Sequence, residues 1–367
     1  MTILGKDELA RYSRHLPVIG LEGQERLKKA KVLCVGGGGL GCPALQYLAA
    51  SGIGTLGVMD GDKVELSNLQ RQILFREQDI GRNKAQVIYE QLRTLNSYVI
   101  WNVYQEFLSE ANASALISHY DVILDATDNY STRYLLNDLC RSLGKPLVSA
   151  SIFQFDAQLS VFNFQQGPCY QCLYPEPPPA YLSPNCSLSG VLGVLPGVAG
   201  CLQAMEAIQV ILGSPGVLSG TLLSMNLLTM QFKRFSISKQ DCSQHPLIKH
   251  SAYPQCKDSL SYPEISSTEL AELIQINEDS IQLLDVRESF ERIICHIGGI
   301  HLPLSSFSIE AAKEFLDLEK QIVVYCKSGM RSAEACMQLY NSGFKVTNLK
   351  AGILGWIKDV DSSLTAY

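Results

Sequence analysis

No Lys/Arg-rich block occurs in the 367-residue chain, and its formal net charge is −6. A nucleic-acid-binding surface needs the opposite balance, so that class of partner is excluded. The first residues, Met1–Glu8, lack the apolar core of a secretory signal. Internal repeats and low-complexity tracts are missing too. One uncharged apolar stretch, residues 188–202, is broken by Gly190, Gly193, Pro196, Gly197 and Gly200, and Gln203, Glu206 and Gln209 follow it. That pattern predicts a buried loop and helix rather than a membrane span. These absences together predict a cytoplasmic protein with neither a membrane nor a nucleic-acid partner.

Cysteine is not scarce; there are 12. Without a secretory signal, metal binding and thiol chemistry explain them better than disulfides do. Several are expected in the core: Cys34 in an apolar strand, and Cys42, Cys140, Cys201 and Cys336 in helices. A chain of this length exceeds one typical core and predicts two domains.

The first two-thirds alternates strand and helix. Strands are predicted at 31–35, 55–59, 98–104, 122–125 and 146–152, with helices at 41–51, 83–95 and 131–143. This β-α-β alternation predicts an α/β, Rossmann-like doubly wound sheet. Strands at 158–164, 218–226 and 230–236 are expected to extend it antiparallel. Residues 174–190 carry five prolines and read as a crossing loop.

Two loops carry the chemistry. Gly36, Gly37, Gly38, Gly39 and Gly41 join the first strand to the first of these helices, where backbone N–H groups can approach phosphates. Asp60 ends the next strand, where an acid can accept ribose hydroxyls. The same pattern serves dinucleotide-binding dehydrogenases, or a turn kept for packing. In the second loop, Val323-Val324-Tyr325 runs into Cys326, and a helix is predicted from Ser332. Backbone N–H groups and a helix N-terminus around one sulfur stabilise a thiolate or a persulfide anion. The C-x-x-x-x-R loop to Arg331 is one residue shorter than the loop of cysteine phosphatases, a cradle better suited to sulfur than to phosphate. The alternative is a cysteine that merely ends a strand.

Further motifs identify both halves. Arg11-Tyr12-Ser13-Arg14, Asp60-Gly61-Asp62, Ser67-Asn68-Leu69-Gln70-Arg71-Gln72, Gly81-Arg82-Asn83-Lys84 and Asp125-Ala126-Thr127-Asp128-Asn129 together resemble the adenylating domain of the MoeB/ThiF proteins, relatives of ubiquitin-activating enzymes. The resemblance covers about residues 5–245. It implies that Gly36, Gly38, Gly39, Gly41 and Asp60 bind ATP, that Asn68, Arg71 and Lys84 hold the triphosphate, and that Asp128 binds Mg²⁺. It also implies a homodimer in which Arg14 reaches the neighbouring subunit's nucleotide. Arg71 or Lys84 taken singly would read as a solvated surface charge; five matching positions would not.

Residues 264–362 resemble a rhodanese. The matching segments are Leu284-Asp285-Val286-Arg287-Glu288, His296-Ile297-Gly298-Gly299-Ile300, the Cys326 loop, and Leu349-Lys350-Ala351-Gly352 closing at Trp356. Ala351 and Ile300 depart from the family pattern. The resemblance implies a small α/β sulfurtransferase domain in which Cys326 carries sulfur as a persulfide. Domains are therefore expected at 1–245 and 264–367, with 246–263 a linker.

Cys169-x-x-Cys172 has the spacing of half a zinc knuckle. In the MoeB/ThiF family a second C-x-x-C follows the last strands; here Cys242-Ser243-Gln244-His245 stands in that place. A structural Cys₃His Zn²⁺ site is expected, with Cys256 as an alternative fourth ligand and an empty, degraded site as another outcome. Cys186 resembles the family's crossover-loop cysteine, which can join covalently to an activated carrier or relay sulfur; the alternative is a spare loop thiol.

The two halves imply one pathway. The first would activate, as an adenylate, the C-terminal Gly-Gly carboxylate of a ubiquitin-like sulfur-carrier protein of molybdopterin, thiamine or tRNA-thiolation chemistry. The second, loaded by a persulfide donor, would convert it to a thiocarboxylate. A nicotinamide-dependent oxidoreductase fused to rhodanese would explain the glycine loop but not Arg71, Lys84 and Asp128. A non-catalytic carrier-binding scaffold would not need the intact phosphate-contact positions.

Overall fold

The structure, a computed structural model, describes residues 2–177, 190–246, 262–277 and 280–367. The chain divides into two compact units, Met1–Tyr253 and Pro254–Tyr367.

The first unit begins with helices α1 (Lys6–Arg11) and α2 (Leu16–Lys29). There follow β1 (Lys31–Val35), α3 (Gly41–Ser51), β2 (Thr55–Met59), α4 (Lys84–Leu95), β3 (Ile100–Tyr104), α5 (Glu110–Ser118), β4 (Val122–Asp125), α6 (Tyr130–Leu143) and β5 (Leu147–Phe153). Then come β6 (Asp156–Phe162), the short α7 (Tyr170–Leu173), α8 (Val194–Leu212), β7 (Thr221–Asn226) and β8 (Gln231–Ser236). The sheet order is β3-β2-β1-β4-β5-β6-β7-β8. The first five strands in that order are parallel, and β6, β7 and β8 join antiparallel.

The β1 sequence explains its place. Val32, Leu33, Cys34 and Val35 are all buried, a continuous apolar run suited to a strand covered on both faces. Val32 and Cys34 pack into one core cluster, Leu33 and Val35 into the other. The strand order reverses between β1 and β4, so the loops leaving their carboxyl ends splay apart and open a crevice. The Gly36–Gly39 turn and the Ala126–Asp128 loop both start there. Helix α8 is long and apolar enough to cross a membrane by composition alone. Its buried residues, among them Leu195, Ala199, Gln203 and Ala207, pack against α3 and the sheet.

The second unit holds β9 (Glu264–Ile265), α9 (Ser267–Asn277), β10 (Ile281–Asp285), α10 (Ser289–Ile294), β11 (Ile300–His301), α11 (Ile309–Phe315), β12 (Gln321–Tyr325), α12 (Met330–Asn341), β13 (Val346–Leu349) and α13 (Gly352–Asp359). Its sheet is wholly parallel, in the order β11-β10-β12-β13-β9. Central β12 is again buried on both faces, with Ile322 and Val324 on one side and Val323 and Tyr325 on the other.

Some boundaries differ from the sequence reading. Strand β3 starts at Ile100 rather than Tyr98, because the Asn96 side chain accepts from the Tyr98 N–H and makes a turn there. Strand β6 stops at Phe162, since Asn163 is left-handed (φ 59°). Strand β7 begins after Gly220 (φ 73°). The helix after the Cys326 loop starts at Met330, two residues before Ser332. Tyr262, within the expected linker, is buried in the second unit's core, and its hydroxyl donates to the Ala333 carbonyl.

Candidate active sites and metal centre

A cavity of about 280 Å³ occupies the crevice between β1 and β4. Gly36, Gly38, Gly39, Asp60, Asn68, Arg71, Lys84 and Asp128 all line it. Their placement follows from local structure. Gly36 is left-handed (φ 98°), and a Cβ there would meet the Ala126 carbonyl at 2.6 Å. Gly38 has no such crowding; the nearest atom a Cβ there would meet is Gln72 Nε2, at 3.7 Å, an ordinary contact. Gly41 lies outside the lining, and a Cβ there would overlap the Gly36 carbonyl, so only glycine fits that position.

Asp60 is held rigid. Its carboxylate accepts from the Gly37 N–H (2.7 Å) and the Asp62 N–H (2.8 Å). Burial raises its pKa, against the opposing pull of Lys84 and those N–H groups. Lys84 is buried and pairs with Asp62 at 3.1 Å. It opens α4 directly after Asn83, whose side chain caps the helix by accepting from the Gln86 N–H. Arg71 Nη1 donates to the Ser67 carbonyl at 2.9 Å. Asp128 precedes Asn129, the cap of α6. Asp128 is exposed, and no hydrogen bond ties its carboxylate to the described residues. An uncommitted carboxylate is a hard-oxygen donor that fits Mg²⁺. Arg14 is exposed and is not part of this cavity's lining.

A second cavity, about 430 Å³, adjoins the first and shares Asp128, Arg133 and Ile152 with it. Strands β5 and β6 floor it, and Tyr130, Tyr170 and Tyr174 wall it.

In the second unit, Cys326 follows β12 and its side chain is buried. The Gly329 N–H donates to its sulfur at 3.1 Å, and Ser332 Oγ lies 3.4 Å away. Loop carbonyls are turned outward: those of Cys326 and Lys327 accept from the Ile353 and Leu354 N–H groups. Gly329 is left-handed (φ 92°) and so tight against Lys350 that no side chain fits. Arg331 does not face the sulfur as a free cation. It forms a buried two-bond pair with Glu291, at 2.6 and 2.7 Å.

The four expected metal ligands converge. The Cys169, Cys172 and Cys242 sulfurs and a ring nitrogen of His245 all lie within 4.8 Å of one another. The sulfurs of Cys169 and Cys172 are 3.8 Å apart, those of Cys172 and Cys242 3.5 Å, and His245 Nδ1 is 3.1 Å from Cys169. Tetrahedral zinc with bonds of about 2.3 Å sets its sulfurs about 3.8 Å apart, so the donor set fits that ion. His245 Nε2 meets Gln240 Oε1 at 3.1 Å, the outer contact that fixes a ligand histidine's tautomer. Cys186 and Cys256 lie outside the described residues.

The sequence pattern of the ThiF family matches residues 12–245, and that of the rhodanese-like domain residues 266–359. The chain belongs to the ThiF family. It is 38% identical to the adenylyltransferase and sulfurtransferase MOCS3 of Xenopus laevis, over 99% of this chain and 89% of that protein. It is also 38% identical to the probable adenylyltransferase/sulfurtransferase MoeZ of Mycobacterium tuberculosis, over 99% and 96%. The crystal structure of E. coli MccB with MccA-N7isoASN superposes with a TM-score of 0.57 at 23% identity, over 66% of this chain and 74% of that one, a likeness of fold. This ThiF-family chain is an enzyme that combines adenylyl transfer with sulfur transfer.

Two residues that the sequence reading passed over complete the ThiF-family crevice. Gln72 is buried in its lining, and its Oε1 has no hydrogen-bond partner among the described residues. In the sequence it directly follows Arg71. Arg133 sits where the two cavities meet. It donates to the Thr127 carbonyl at 2.7 Å and lies 3.7 Å from the buried Asp125. Burial alone would lower its pKa; Asp125 and nearby tyrosines outweigh that and raise it. A cation one turn into an amphipathic helix was the available signal.

Proposed function

We propose that the first unit adenylates the C-terminal carboxylate of a ubiquitin-like, Gly-Gly-ended carrier protein with ATP, and that Cys326 then delivers sulfur to it. One observation carries the reading: the phosphate-contact, ribose-contact and acidic positions expected from separate motifs line one crevice. The backbone of Gly36–Gly39 and the side chains of Asn68, Arg71 and Lys84 would hold the triphosphate, and Asp60 the ribose. Mg²⁺ at Asp128 would supply charge to offset the leaving pyrophosphate. The adjoining cavity would receive the carrier's tail, and Arg133, which lines both cavities, would stand where the tail's carboxylate meets the nucleotide. Attack of that carboxylate on the α-phosphorus releases pyrophosphate and leaves an acyl-adenylate.

Sulfur transfer follows as ordinary acyl chemistry. The terminal sulfur of a Cys326 persulfide attacks the acyl carbon, AMP departs, and an acyl disulfide forms on Cys326. A second thiol then attacks the Cys326 sulfur, which frees the thiocarboxylate and leaves a disulfide. Cys186 is the proposed second thiol. Cys169, Cys172, Cys242 and His245 would hold Zn²⁺ in a closed structural site. Arg14 of one protomer would serve the crevice of its partner in a homodimer. The relatives named for sulfur transfer support the carrier class. ATP–pyrophosphate exchange should appear only when a Gly-Gly-ended carrier is added. Exchange at full rate without any carrier, or no exchange with any of the source organism's Gly-Gly-ended proteins, would overturn the assignment.

A further inference from the structure

The sulfur of Cys326 has a buried polar chain behind it. Ser332 Oγ lies 3.4 Å from Sγ and 2.6 Å from Asn348 Oδ1. Asn348 Nδ2 donates to Glu264 Oε1 at 3.1 Å and to the Gly329 carbonyl at 3.2 Å. Ser332 is fully buried and Asn348 1% exposed. The two acceptors around Nδ2 settle which way the amide faces, so Oδ1 is the atom presented to Ser332. A hydroxyl has one hydrogen. With that hydrogen on Asn348, Ser332 offers only a lone pair to the sulfur and suits the protonated thiol. Rotated onto the sulfur, the same hydrogen suits the anion. The other arm of Asn348 holds the Gly329 carbonyl, and the N–H of that residue is the donor to Sγ.

We propose that Asn348 and Ser332 are positioning residues for sulfur transfer: Asn348 clamps the Gly329 peptide with its N–H on the sulfur and sets the orientation of the Ser332 hydroxyl, which follows the charge of Cys326. The proposal rests on Cys326 as the sulfur-carrying group. Glu264 on β9 and Asn348 on β13 are paired partners in the sheet, which holds the amide in place. Nothing in the Cys326 loop motif itself points to Asn348, which lies 22 residues further on.

The test uses the full-length protein and two readouts. The first is the rate of Cys326 alkylation by iodoacetamide at pH 7, followed by peptide mass spectrometry. The second is kcat and KM for sulfur transfer from thiosulfate to cyanide. Ser332→Ala and Asn348→Ala should each lower alkylation and kcat roughly tenfold, the scale of a hydrogen bond to a charged group. KM for thiosulfate should stay within about twofold, and the Ser332→Ala/Asn348→Ala double variant should be no slower than the slower single one, because the two residues act as one chain. Ser332→Ala removes only one oxygen, so it decides the matter if Asn348→Ala fails to fold. Parental alkylation by folded Ser332→Ala protein, or a double variant that loses the product of the two single effects, would overturn the proposal. If the parent protein transfers no sulfur, the assignment of Cys326 fails, while the alkylation series still decides the hydrogen-bond chain.

Discussion

Asp128 and Glu291 are both acids, but their surroundings give them opposite work. Asp128 is exposed beside the crevice with no bonded partner among the described residues. Its removal should leave the fold intact and stop adenylation. Asp128→Ala is expected to reduce carrier-dependent pyrophosphate exchange by about 100-fold or more, with persulfide loading of Cys326 unchanged; exchange at the parental rate would remove Asp128 from the mechanism. Glu291 is buried against Arg331 and is bonded by Tyr367 as well. Burial would raise its pKa, but the bonds from Arg331, the Glu288 N–H and Tyr367 together lower it. A depressed carboxyl contributes stability above its unfolded pKa, about 4.3, and that contribution is lost as pH falls through the lower folded value. Glu291→Gln should therefore cost about 3 kcal/mol at neutral pH, as for a buried pair deprived of one partner. The difference from the parent in urea unfolding should shrink below about pH 4.3. A gap that stays constant down to pH 3 would show that the pair is not the source.

At the scale of elements, α6 does two things. Its cap Asn129 and first-turn Arg133 lie at the crevice, and its last two turns support the metal cluster. Asn137 accepts from the Tyr170 N–H, and Arg141 donates to the Cys242 and His245 carbonyls. One Zn²⁺ per chain is expected by elemental analysis, and chelation should lower Tm more than it slows adenylation at low temperature. A metal-free protein of full stability would contradict the site. Strands β1, β2 and β4 were legible in the sequence because each is a short, largely apolar run that ends at a glycine or an acid: Gly36, Asp60 and Asp125. Asp60 stood out as an acid where an apolar strand gives way to a loop, whereas Asp128, three residues past β4, was legible only through the motif Asp125–Asn129. The ends of β6 and β7 were not legible. They depend on left-handed Asn163 and Gly220, and asparagine after an apolar run carries no unique signal. The start of α12 was not legible because its cap is Gly329 in a left-handed conformation (φ 92°), so Met330 and Arg331 are already helical. Gln72 and Arg133 were hidden because their roles follow from burial, which motif spacing does not report.

At the scale of the whole molecule, two catalytic units on one chain give predictions that separate cleanly. The placement of Arg14 outside its own crevice's lining leads to a complementation test. If the chain forms the proposed homodimer, the Asp128→Ala and Arg14→Ala proteins should each be inactive in adenylation, and subunit exchange between them should restore activity through hybrid sites holding both residues. Inactive mixtures, with exchange shown by mass, would count against action across the dimer. The central claim is that one protein both activates a carrier and sulfurates it through Cys326. The direct measurement is the intact mass of a Gly-Gly-ended carrier after incubation with the enzyme, ATP, Mg²⁺ and thiosulfate. With the parent enzyme, carrier should gain the mass of one sulfur replacing one oxygen. With Cys326→Ala it should reach the acyl-adenylate and gain no sulfur, and with Cys186→Ala the gain should be slowed. Thiocarboxylate formed at the parental rate by Cys326→Ala would contradict the account.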